Sequence, residues 1–301
     1  MSALPELTSH RYLRDAVRHP IVRDLLGTAC RMETRNEGGK VVWHAWGKGP
    51  TVVLLHGGFG SWMHWVRNIA PLTERFRVLA ADLPGLGESD PVPQERPTAQ
   101  DVAAPLTAGL RELLGRDEPL RLACFSLGAV VGGQVAVALW ERLARVVLLG
   151  PSGLGEYWRN ITTDLVRRRP DMSEGERRDT IRHNLQHSMI ADPAAIDDLA
   201  LDLQSDLVRQ KRRLLGLPIS LSDALTRVLP KLAPRLTIAW GEQDCYLVPD
   251  VAGVAVLLRQ QLPDLDVRII PRAGHWVAYE ADAEVNRLLL ELFTSEEPVK
   301  G

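Results

Sequence analysis

Cysteine is scarce in this chain, with three residues among 301. Cys30, Cys124 and Cys245 are odd in number, lie far apart and lack the short spacing of metal-binding cysteines. These features argue against a disulfide framework and a zinc site, and no metal ion or other cofactor is expected. Cys124 lies in a predicted strand two residues before Ser126, where a thiol would be buried and inert. We therefore expect Cys124 to be a core residue and not a nucleophile.

An excess of one charge sign and long apolar runs are also missing. The chain has 36 basic and 38 acidic residues, a formal net charge of −2, which gives no general attraction to nucleic acids or membranes. No stretch approaches the roughly 18 apolar residues of a membrane span, and the amino terminus has charges but no apolar signal segment. We expect a cytoplasmic protein whose partner is a small-molecule substrate, with no nucleic-acid or membrane partner. A homodimer remains open.

The sequence does contain short apolar runs that alternate with helical patterns. With 45% hydrophobic residues, it has enough apolar material for a large core. The apolar runs are too short for helices and are typical of buried strands. Their alternation with helices predicts an α/β fold, with a mostly parallel central sheet and helices on both faces. Strands are predicted at about 41–46, 52–55, 77–83, 121–125 and 145–149, and helices at about 99–115 and 127–141.

These patterns divide the chain into three parts. Residues 6–30 carry apolar residues at helical spacing, so 1–39 is predicted to be an N-terminal helical extension. Between 151 and 230 the strand pattern stops, and the chain becomes helical, charged and rich in arginine. This segment is predicted to be a helical cap inserted into a core of residues 40–150 and 231–301. Caps of this kind cover a catalytic rim and exclude water from it.

Ser126 lies where a buried strand gives way to a helix rich in glycine and alanine. The sequence Cys124-Phe125-Ser126-Leu127-Gly128 partly matches the pattern G-x-S-x-G, with cysteine at the first small-residue position. In that pattern the serine occupies a strained turn that exposes its hydroxyl at the carboxyl end of the strand. A serine at such a junction is often only a helix N-cap. The prediction of a nucleophile therefore depends on further segments.

Asp244 and His275 each follow a further apolar strand, as Ser126 does. Because parallel strands end at one edge of a sheet, the three side chains are expected to meet there. A serine hydroxyl needs a base to become a nucleophile, so His275 is predicted to take its proton and Asp244 to orient the imidazole. Glu242 is the rival acid. These three residues are the predicted catalytic group.

A glycine-rich loop, His56-Gly57-Gly58-Phe59-Gly60, follows the apolar run at 52–55. Such a loop can direct a backbone amide at the negative charge that develops on a substrate oxygen. The amides of Gly58 and Leu127 are therefore predicted to form an oxyanion hole. His56 is expected to support the loop and not to carry protons.

Taken in order, these motifs resemble the α/β-hydrolase superfamily over roughly residues 40–295. The order serine, aspartate, histidine is the order of that family. Asp82-Leu83-Pro84-Gly85-Leu86-Gly87-Glu88-Ser89 is similar to its Asp-x-Pro-Gly-x-Gly-x-Ser turn, and its polar side chains are assigned to turn structure. The resemblance implies the α/β-hydrolase fold with an inserted cap, and a serine hydrolase activity with the triad named above.

The C-terminal part, from Gly274-His275-Trp276 to Arg287, is similar to hydrolases that cleave carbon–carbon bonds in meta-cleavage products of aromatic compounds. That resemblance implies that Trp276 lines the substrate pocket. The chain departs from this family in its shorter oxyanion loop, in Phe125, which replaces a polar residue before the nucleophile, and in Gln204, which aligns roughly with an arginine of the family's cap. The predicted substrate-binding residues are Phe59, His64, Phe125 and Trp276.

Arginines of the predicted cap offer a second way to hold a substrate carboxylate. We expect them instead to lie on solvated helix faces and to pair with neighbouring acidic residues. They are Arg167, Arg168, Arg169, Arg177, Arg178 and Arg182.

The sequence therefore predicts a cofactor-free serine hydrolase of a small carbonyl compound, an ester or lactone, that works through an acyl-enzyme on Ser126. Phe125 and Trp276 favour a less polar pocket, suited to an uncharged substrate. One alternative is a carbon–carbon hydrolase of meta-cleavage products, and another is a ligand-binding protein that kept the fold and lost catalysis. Haloalkane dehalogenases and epoxide hydrolases resemble this fold but have aspartate where Ser126 stands, so those activities are disfavoured.

Overall fold

The structure, a computed structural model, describes residues 13–161, 165–209 and 216–295. Its centre is one sheet of eight strands. In chain order the strands are β1 Cys30–Asn36, β2 Gly39–Trp46, β3 Thr51–Leu55, β4 Arg77–Ala81, β5 Leu120–Phe125, β6 Leu143–Leu149, β7 Leu236–Gly241 and β8 Asp266–Ile270.

The strands lie in the order β1-β2-β4-β3-β5-β6-β7-β8. In this order, all neighbouring pairs from β4 onward are parallel. In contrast, β2 runs antiparallel to β4, and β1 runs antiparallel to β2. The carboxyl ends of β5, β7 and β8 therefore lie at the same edge of the sheet, and the loops that follow them come close together. The sequence prediction of a mostly parallel α/β sheet is confirmed.

Helices cover both faces of the sheet. Side chains of a strand alternate between its faces. Val53 and Leu55 of β3 accordingly belong to one buried cluster, and Val52 and Leu54 to another. In the described part of the chain the α-helices are α1 Pro20–Thr28, α2 Ile69–Leu72, α3 Ala99–Leu113, α4 Leu127–Ala138, α5 Glu174–Ser188, α6 Asp198–Arg209, α7 Gly216–Ser220, α8 Leu229–Leu232, α9 Val251–Gln261, α10 Val277–Glu280 and α11 Asp282–Thr294.

The N-terminal region differs from the predicted helical extension of residues 1–39. Helix α1 is present, but β1 follows it and pairs along its whole length with β2, so these residues belong to the sheet. Alternation explains the missed strand: Thr34 is buried and accepts a hydrogen bond from Trp43 Nε1 at 3.0 Å, whereas Arg35 lies exposed. β1 is an edge strand with one polar side, and polar edge strands lack the apolar run by which the other strands were recognised. Residues 1–12 of the predicted extension lie outside the described residues.

The described part of the segment between β6 and β7 consists of helices joined by loops. It holds α5 to α8, together with short 3₁₀ turns, and in its described part it contributes only one isolated bridge, Trp158 to Leu247, to β-structure. The division into core and cap stays a prediction. No helix in the described ranges combines the length and apolar character that spanning a bilayer requires.

The N-terminal residues before α1 are fixed to helix α6 of this segment. The buried carboxylate of Asp206 accepts hydrogen bonds from the backbone N–H groups of Arg14, Asp15 and Ala16, at distances of 2.9 to 3.1 Å. One helical turn earlier, Asp202 lies 3.0 Å from His19 Nε2. The start of the described chain is thereby joined to the helix that carries Gln204 and Leu207.

Candidate active site

Ser126 occupies the sharp turn between β5 and α4. Its φ of 51° is in the left-handed region that residues other than glycine rarely adopt. Such backbone strain is found preferentially at functional sites. Gly128 is required at this turn, because a Cβ there would lie 2.4 Å from the carbonyl oxygen of His56. The turn therefore has the backbone geometry that the partial motif predicted.

Cysteine at the first small-residue position is accommodated by a glycine on the facing helix. A Cβ on Gly132 of α4 would lie 2.3 Å from Cys124 Sγ, so the absence of a side chain at 132 leaves room for the thiol. Burial raises the pKa of the Cys124 thiol far above its usual value. The residue is thus an inert part of the core, as predicted.

Ser126, His275 and Asp244 form a continuous line of hydrogen bonds. Ser126 Oγ lies 2.9 Å from His275 Nε2, and His275 Nδ1 lies 2.8 Å from Asp244 Oδ2. Asp244 and His275 are buried, so Ser126 is the only one of the three residues that is partly exposed to solvent. In this arrangement Nδ1–H donates to the carboxylate, which leaves Nε2 free to accept the serine proton. The three side chains can therefore move a proton from the hydroxyl to the imidazole.

The loop after β7 distinguishes the two candidate acids. The second oxygen of Asp244, Oδ1, accepts a hydrogen bond from the backbone N–H of Tyr246 at 3.0 Å, which fixes the carboxylate. Glu242 is exposed, and its carboxylate accepts from the backbone N–H of Arg272 at 3.0 Å. Glu242 therefore has a structural partner of its own, and the imidazole is bonded to Asp244.

The predicted oxyanion donors lie on two segments in contact. A Cβ placed on Gly58 would be 3.9 Å from Leu127 Cβ, and both residues line the same cavity as Ser126. His56 fixes the loop that carries Gly58: its Nδ1 lies 2.7 Å from the carbonyl oxygen of Gly57, and its Nε2 accepts from the backbone N–H of Leu83 at 2.9 Å. Gly58 and Leu127 remain the predicted donors.

The turn that resembles the family motif at 82–89 supports this loop from the other side. Asp82 accepts hydrogen bonds from the backbone N–H groups of Trp62 at 3.0 Å and Glu88 at 2.8 Å. The hydroxyl of Ser89 donates to the carbonyl oxygen of Asp82 at 2.7 Å. Both polar side chains have structural roles, in agreement with their assignment to turn structure.

A cavity of about 420 Å³ opens at Ser126. Side chains of the core form one wall, and residues of the 151–230 segment form the other. Its lining is mostly apolar, with a few amides and hydroxyls, two histidines and the guanidinium of Arg159. Its lining includes Phe59, His64, Phe125, Trp158, Arg159, Gln204, Tyr246 and His275.

Three of the four predicted substrate-binding residues lie at this cavity and one does not. Phe59, His64 and Phe125 line it, and Phe59 is 53% exposed at its mouth. Trp276 is fully buried and is not among the lining residues. Its Nε1 donates to the carbonyl oxygen of His64 at 3.0 Å, and its ring packs 4.3 Å from Tyr279. The prediction for Trp276 is therefore wrong, because the indole supports His64 from behind.

His64 is held as a neutral imidazole. Its Nδ1 accepts a hydrogen bond from the backbone N–H of Gly57 at 3.2 Å. Burial, with smaller contributions from His56 and His275, lowers the pKa of His64 well below its usual value. The ring therefore carries its proton on Nε2.

Two aromatic residues that the sequence analysis missed enclose the imidazole of His275. Trp158 and Tyr246 stack with their ring centroids 4.6 Å apart, and their centroids lie 5.4 and 4.5 Å from that of His275. Phe125 packs against the same ring at 5.0 Å. The enclosure strengthens the hydrogen bonds of His275 by excluding water. Tyr246 follows Asp244 closely, but no motif marked it, and Trp158 is isolated in sequence.

The arginines assigned to the surface lie away from the cavity. Arg178 forms ion pairs with Asp198 and Asp202, at 2.5 and 2.6 Å, and Arg169 with Asp171 at 3.2 Å. Arg168, Arg177 and Arg182 instead donate to backbone carbonyl oxygens. None of the six is a lining residue. Gln204, placed by rough alignment at the position of a cap arginine, does line the cavity, as does Arg159, which the sequence analysis did not single out. Within the described ranges no three His, Cys, Asp or Glu side chains are grouped in a way that would hold a metal ion.

Comparison with known proteins matches this chain to one family and to two hydrolases that differ in their substrates. A model of the alpha/beta hydrolase family matches residues 52–288. A 2-hydroxy-6-oxo-6-phenylhexa-2,4-dienoate hydrolase of Burkholderia cepacia is 27% identical over 284 residues, which is 89% of this chain and 97% of that protein. A 2-hydroxy-6-oxononadienedioate/2-hydroxy-6-oxononatrienedioate hydrolase of Klebsiella pneumoniae is 29% identical over 258 residues, covering 80% of this chain and 85% of that one.

Solved structures with the same fold include both an esterase and a meta-cleavage product hydrolase. Naproxen esterase from Bacillus subtilis superposes with a TM-score of 0.73 at 18% identity, covering 97% of this chain and 100% of that one. The meta-cleavage product hydrolase from Pseudomonas fluorescens IP01 gives a TM-score of 0.66 at 20% identity, covering 87% and 97%. At these identities the structural likeness establishes the fold alone.

Proposed function

Because this chain belongs to the alpha/beta hydrolase family, and is a hydrolase, we propose that it is a serine hydrolase of a small ester or lactone that reacts through an acyl-enzyme on Ser126. The observation that carries the proposal is the line of hydrogen bonds from Ser126 through His275 to Asp244, at 2.9 and 2.8 Å. A serine on a strained turn with an imidazole at bonding distance is the arrangement that nucleophilic catalysis requires.

In the proposed reaction His275 Nε2 takes the proton of Ser126 as Oγ attacks the substrate carbonyl. The C–O bond to the alcohol then breaks, and the same proton passes from His275 to the departing alkoxide. A water molecule attacks the acyl-enzyme with His275 again acting as base, which releases the acid and restores the serine. Asp244 holds the ring in the required tautomer and stabilises the imidazolium formed in each half of the cycle.

Negative charge on the substrate oxygen needs donors that are already in place. The backbone N–H of Leu127, at the start of α4, and that of Gly58 are the proposed pair. The loss of one such donor typically costs about 3 kcal/mol of transition-state stabilisation. The contact between the two segments that carry them supports this assignment.

The cavity supports a small carbonyl substrate. Its volume of about 420 Å³ lies in the usual range of roughly 300–1,000 Å³ for small-molecule sites. Phe125 and the stacked pair of Trp158 and Tyr246 provide apolar contact next to the reacting centre. An ester or lactone needs no further group from the protein beyond the triad and the oxyanion donors.

A second candidate is hydrolysis of a carbon–carbon bond in a meta-cleavage product. It is favoured by the activities of the two hydrolases from Burkholderia cepacia and Klebsiella pneumoniae, which align with most of this chain. Against it stand two features of the cavity lining: Phe125 directly before the nucleophile and the neutral Gln204 in the opposite wall. The ester hypothesis is therefore placed first.

Active-site labelling and a substrate pair test the proposal. We expect a fluorophosphonate probe to label the wild-type chain and not Ser126→Ala, and we expect His275→Ala to lower turnover at least about a thousandfold, since triad members act as a unit. Hydrolysis of p-nitrophenyl acetate and butyrate would support the ester reading. If both esters remain intact while a yellow ring-fission product is bleached, the second candidate replaces the first, and an unlabelled wild type would refute both.

A further inference from the structure

Two histidines lie next to each other on the surface of α5. His183 and His187 are four positions apart in this helix, so they lie one turn apart on the same face. Their rings stack with centroids 3.9 Å apart and planes inclined by 27°. His183 is half-buried and His187 is exposed. Neither is a lining residue of the cavity at Ser126, so the pair lies outside the site described above.

A hydrogen bond determines which nitrogen of His187 can bind a ligand. Its Nδ1 lies 2.8 Å from the carbonyl oxygen of His183. Because a carbonyl oxygen can only accept, Nδ1 carries the proton, and the neutral ring has its lone pair on Nε2. Metal-ligating histidines are commonly oriented in this way, by donation from the second ring nitrogen to a backbone carbonyl. In the described part of the chain, no hydrogen bond or ion pair occupies Nε2 of His187 or the ring nitrogens of His183.

The spacing of the two rings fits a single metal ion. Zinc binds imidazole nitrogen at about 2.0–2.1 Å, so two nitrogens on one ion are no more than about 4.2 Å apart. Nearly parallel rings with centroids 3.9 Å apart can meet this limit. The neighbouring guanidinium of Arg182 is bound elsewhere, because its Nη1 donates to the carbonyl oxygen of Ile196 at 3.0 Å. The carboxylate of Asp179, one turn before His183, adds a negative charge to this part of the helix.

We propose that His183 and His187 form a surface site for one divalent transition metal ion, such as Zn²⁺ or Ni²⁺, with water at the other coordination positions. Two histidines at this spacing on one helix face bind zinc in the helical motif H-E-x-x-H. Imidazole ligands suit zinc, nickel and copper, whereas Mg²⁺ and Ca²⁺ prefer oxygen. Within the described ranges no third metal-binding side chain completes the group, so we expect the ion to exchange with solution.

The bridged turn is part of the wall of the cavity. Asn184, Leu185 and Ser188 lie in or next to this turn and line the cavity. An ion that joins His183 to His187 opposes unwinding of the turn, because unwinding would separate its two ligands. We therefore expect bound metal to stabilise the end of α5 against local opening. The ion is not a cofactor of the reaction at Ser126, so the site is independent of the proposed function.

Calorimetric titration of the metal-free chain with NiCl₂ tests the site. We expect one Ni²⁺ per chain, and binding at least about tenfold weaker in His183→Ala and in His187→Ala, since even the groups behind metal ligands contribute roughly 10- to 100-fold. Gln186→Ala, exposed on the same turn, is the matched control and should bind as the wild type does. CoCl₂ should bind more weakly than NiCl₂, and MnCl₂ more weakly still, which is the order for nitrogen ligands.

Other histidines and thiols are the competing ligands, and variants distinguish them. Cys245→Ser and His10→Ala should leave Ni²⁺ binding unchanged. Binding that persists at full strength in both His183→Ala and His187→Ala would overturn the proposal. So would binding that is lost in Cys245→Ser or His10→Ala instead, or a wild type that does not bind Ni²⁺.

Hydrogen exchange provides a second measurement that does not depend on activity. Saturating Ni²⁺ should slow the exchange of amides at 186–190 in the wild type and leave it unchanged in His187→Ala. Exchange that is unchanged in the wild type at saturating Ni²⁺ would show that the ion does not bridge the two histidines, and it would overturn the proposal.

Discussion

At the scale of single residues, hydrogen bonding distinguishes the two candidate acids for pairing with the imidazole of His275. Asp244 bonds His275 Nδ1, whereas Glu242 accepts from the backbone N–H of Arg272. We expect Asp244→Asn to lower kcat by about 10³ to 10⁴, because an amide favours the wrong tautomer. Glu242→Gln is the matched control and should change kcat less than about twofold. Equal losses in the two variants, measured by initial rates, would reverse the assignment.

His64 makes stability depend on pH in a defined direction. Because burial lowers its pKa in the folded state, the unfolded chain binds a proton there below about pH 6.5 that the folded chain does not bind. The stabilisation is present above that pH and is lost as the pH falls. We expect the free energy of unfolding in urea to decrease between about pH 7 and 5, by up to about 1.4 kcal/mol per pH unit from this residue.

His64→Asn keeps an acceptor for the Gly57 N–H and removes the titrating ring, so its stability should depend less steeply on pH. His187→Asn, at an exposed position of α5, is the control and should keep the wild-type slope. A slope in His64→Asn identical to that of the wild type would show that the folded protein tolerates a charged His64.

The residue scale also shows where a family resemblance fails. Ser126, Asp244 and His275 were predictable because the same strand-then-polar pattern marks all three. Trp276 adjoins His275 and was predicted to line the pocket because of the family resemblance, yet its indole turns toward Tyr279 and the carbonyl oxygen of His64. Side-chain direction after a strand is determined by packing against another part of the chain, and sequence spacing does not contain that information.

At the scale of elements, strands were predictable where burial makes them apolar on both faces. β3 is buried at all five positions and reads as a continuous apolar run. β1 is an edge strand with charged residues on its open side, so it carries neither a continuous run nor a clear boundary from α1. The apolar criterion therefore identifies the centre of a parallel sheet and misses its antiparallel edge.

At the same scale, the contribution of the contact between α6 and the N-terminal segment to the free energy of unfolding can be measured. Asp206 is buried and accepts from three backbone N–H groups, which would be left without partners in Asp206→Ala. We expect this substitution to lower the free energy of unfolding by about 3 kcal/mol. Asp198→Ala, on the same helix, removes a solvent-exposed ion pair with Arg178 and should cost less than about 1 kcal/mol.

Chemical denaturation of the two variants checks the difference. A loss in Asp206→Ala no larger than that in Asp198→Ala would mean that the N-terminal segment does not stabilise the fold through α6. Asp206→Asn should be intermediate, because the amide oxygen still accepts from part of the backbone while its amino group cannot.

At the scale of the whole molecule, the candidate site depends on contacts between the core and the 151–230 segment. Trp158 and Arg159 of that segment contact Tyr246 and Cys245, which follow Asp244. No sequence motif predicts these contacts, because each joins residues that are far apart in sequence. The sequence therefore predicted the candidate reacting groups and the lining residues Phe59, His64 and Phe125. It did not predict the part of the wall formed by Trp158 and Tyr246.

Glu280 is the residue through which this connection can be tested. Its carboxylate accepts hydrogen bonds from the backbone N–H groups of Ala191 at 3.0 Å and Asp192 at 2.7 Å, in the 151–230 segment, and of Gly274 at 2.7 Å, next to His275. One side chain thus joins the loop that carries His275 to the segment that directly follows Met189, a lining residue of the cavity. Glu280→Ala leaves three N–H groups without this partner and frees both segments.

We expect Glu280→Ala to lower kcat about tenfold or more, since hydrogen bonds to a charged group contribute roughly 1.5–3 kcal/mol and a small displacement of His275 affects every proton transfer. Glu280→Gln should recover part of the loss, because its amide oxygen still accepts. Glu284→Gln, exposed on α11, is the control and should leave kcat unchanged. Hydrogen exchange provides a second measurement: amides at 189–192 and at 274–276 should lose protection together in Glu280→Ala. Loss at only one of the two segments would show that they are held independently and that Glu280 does not couple them.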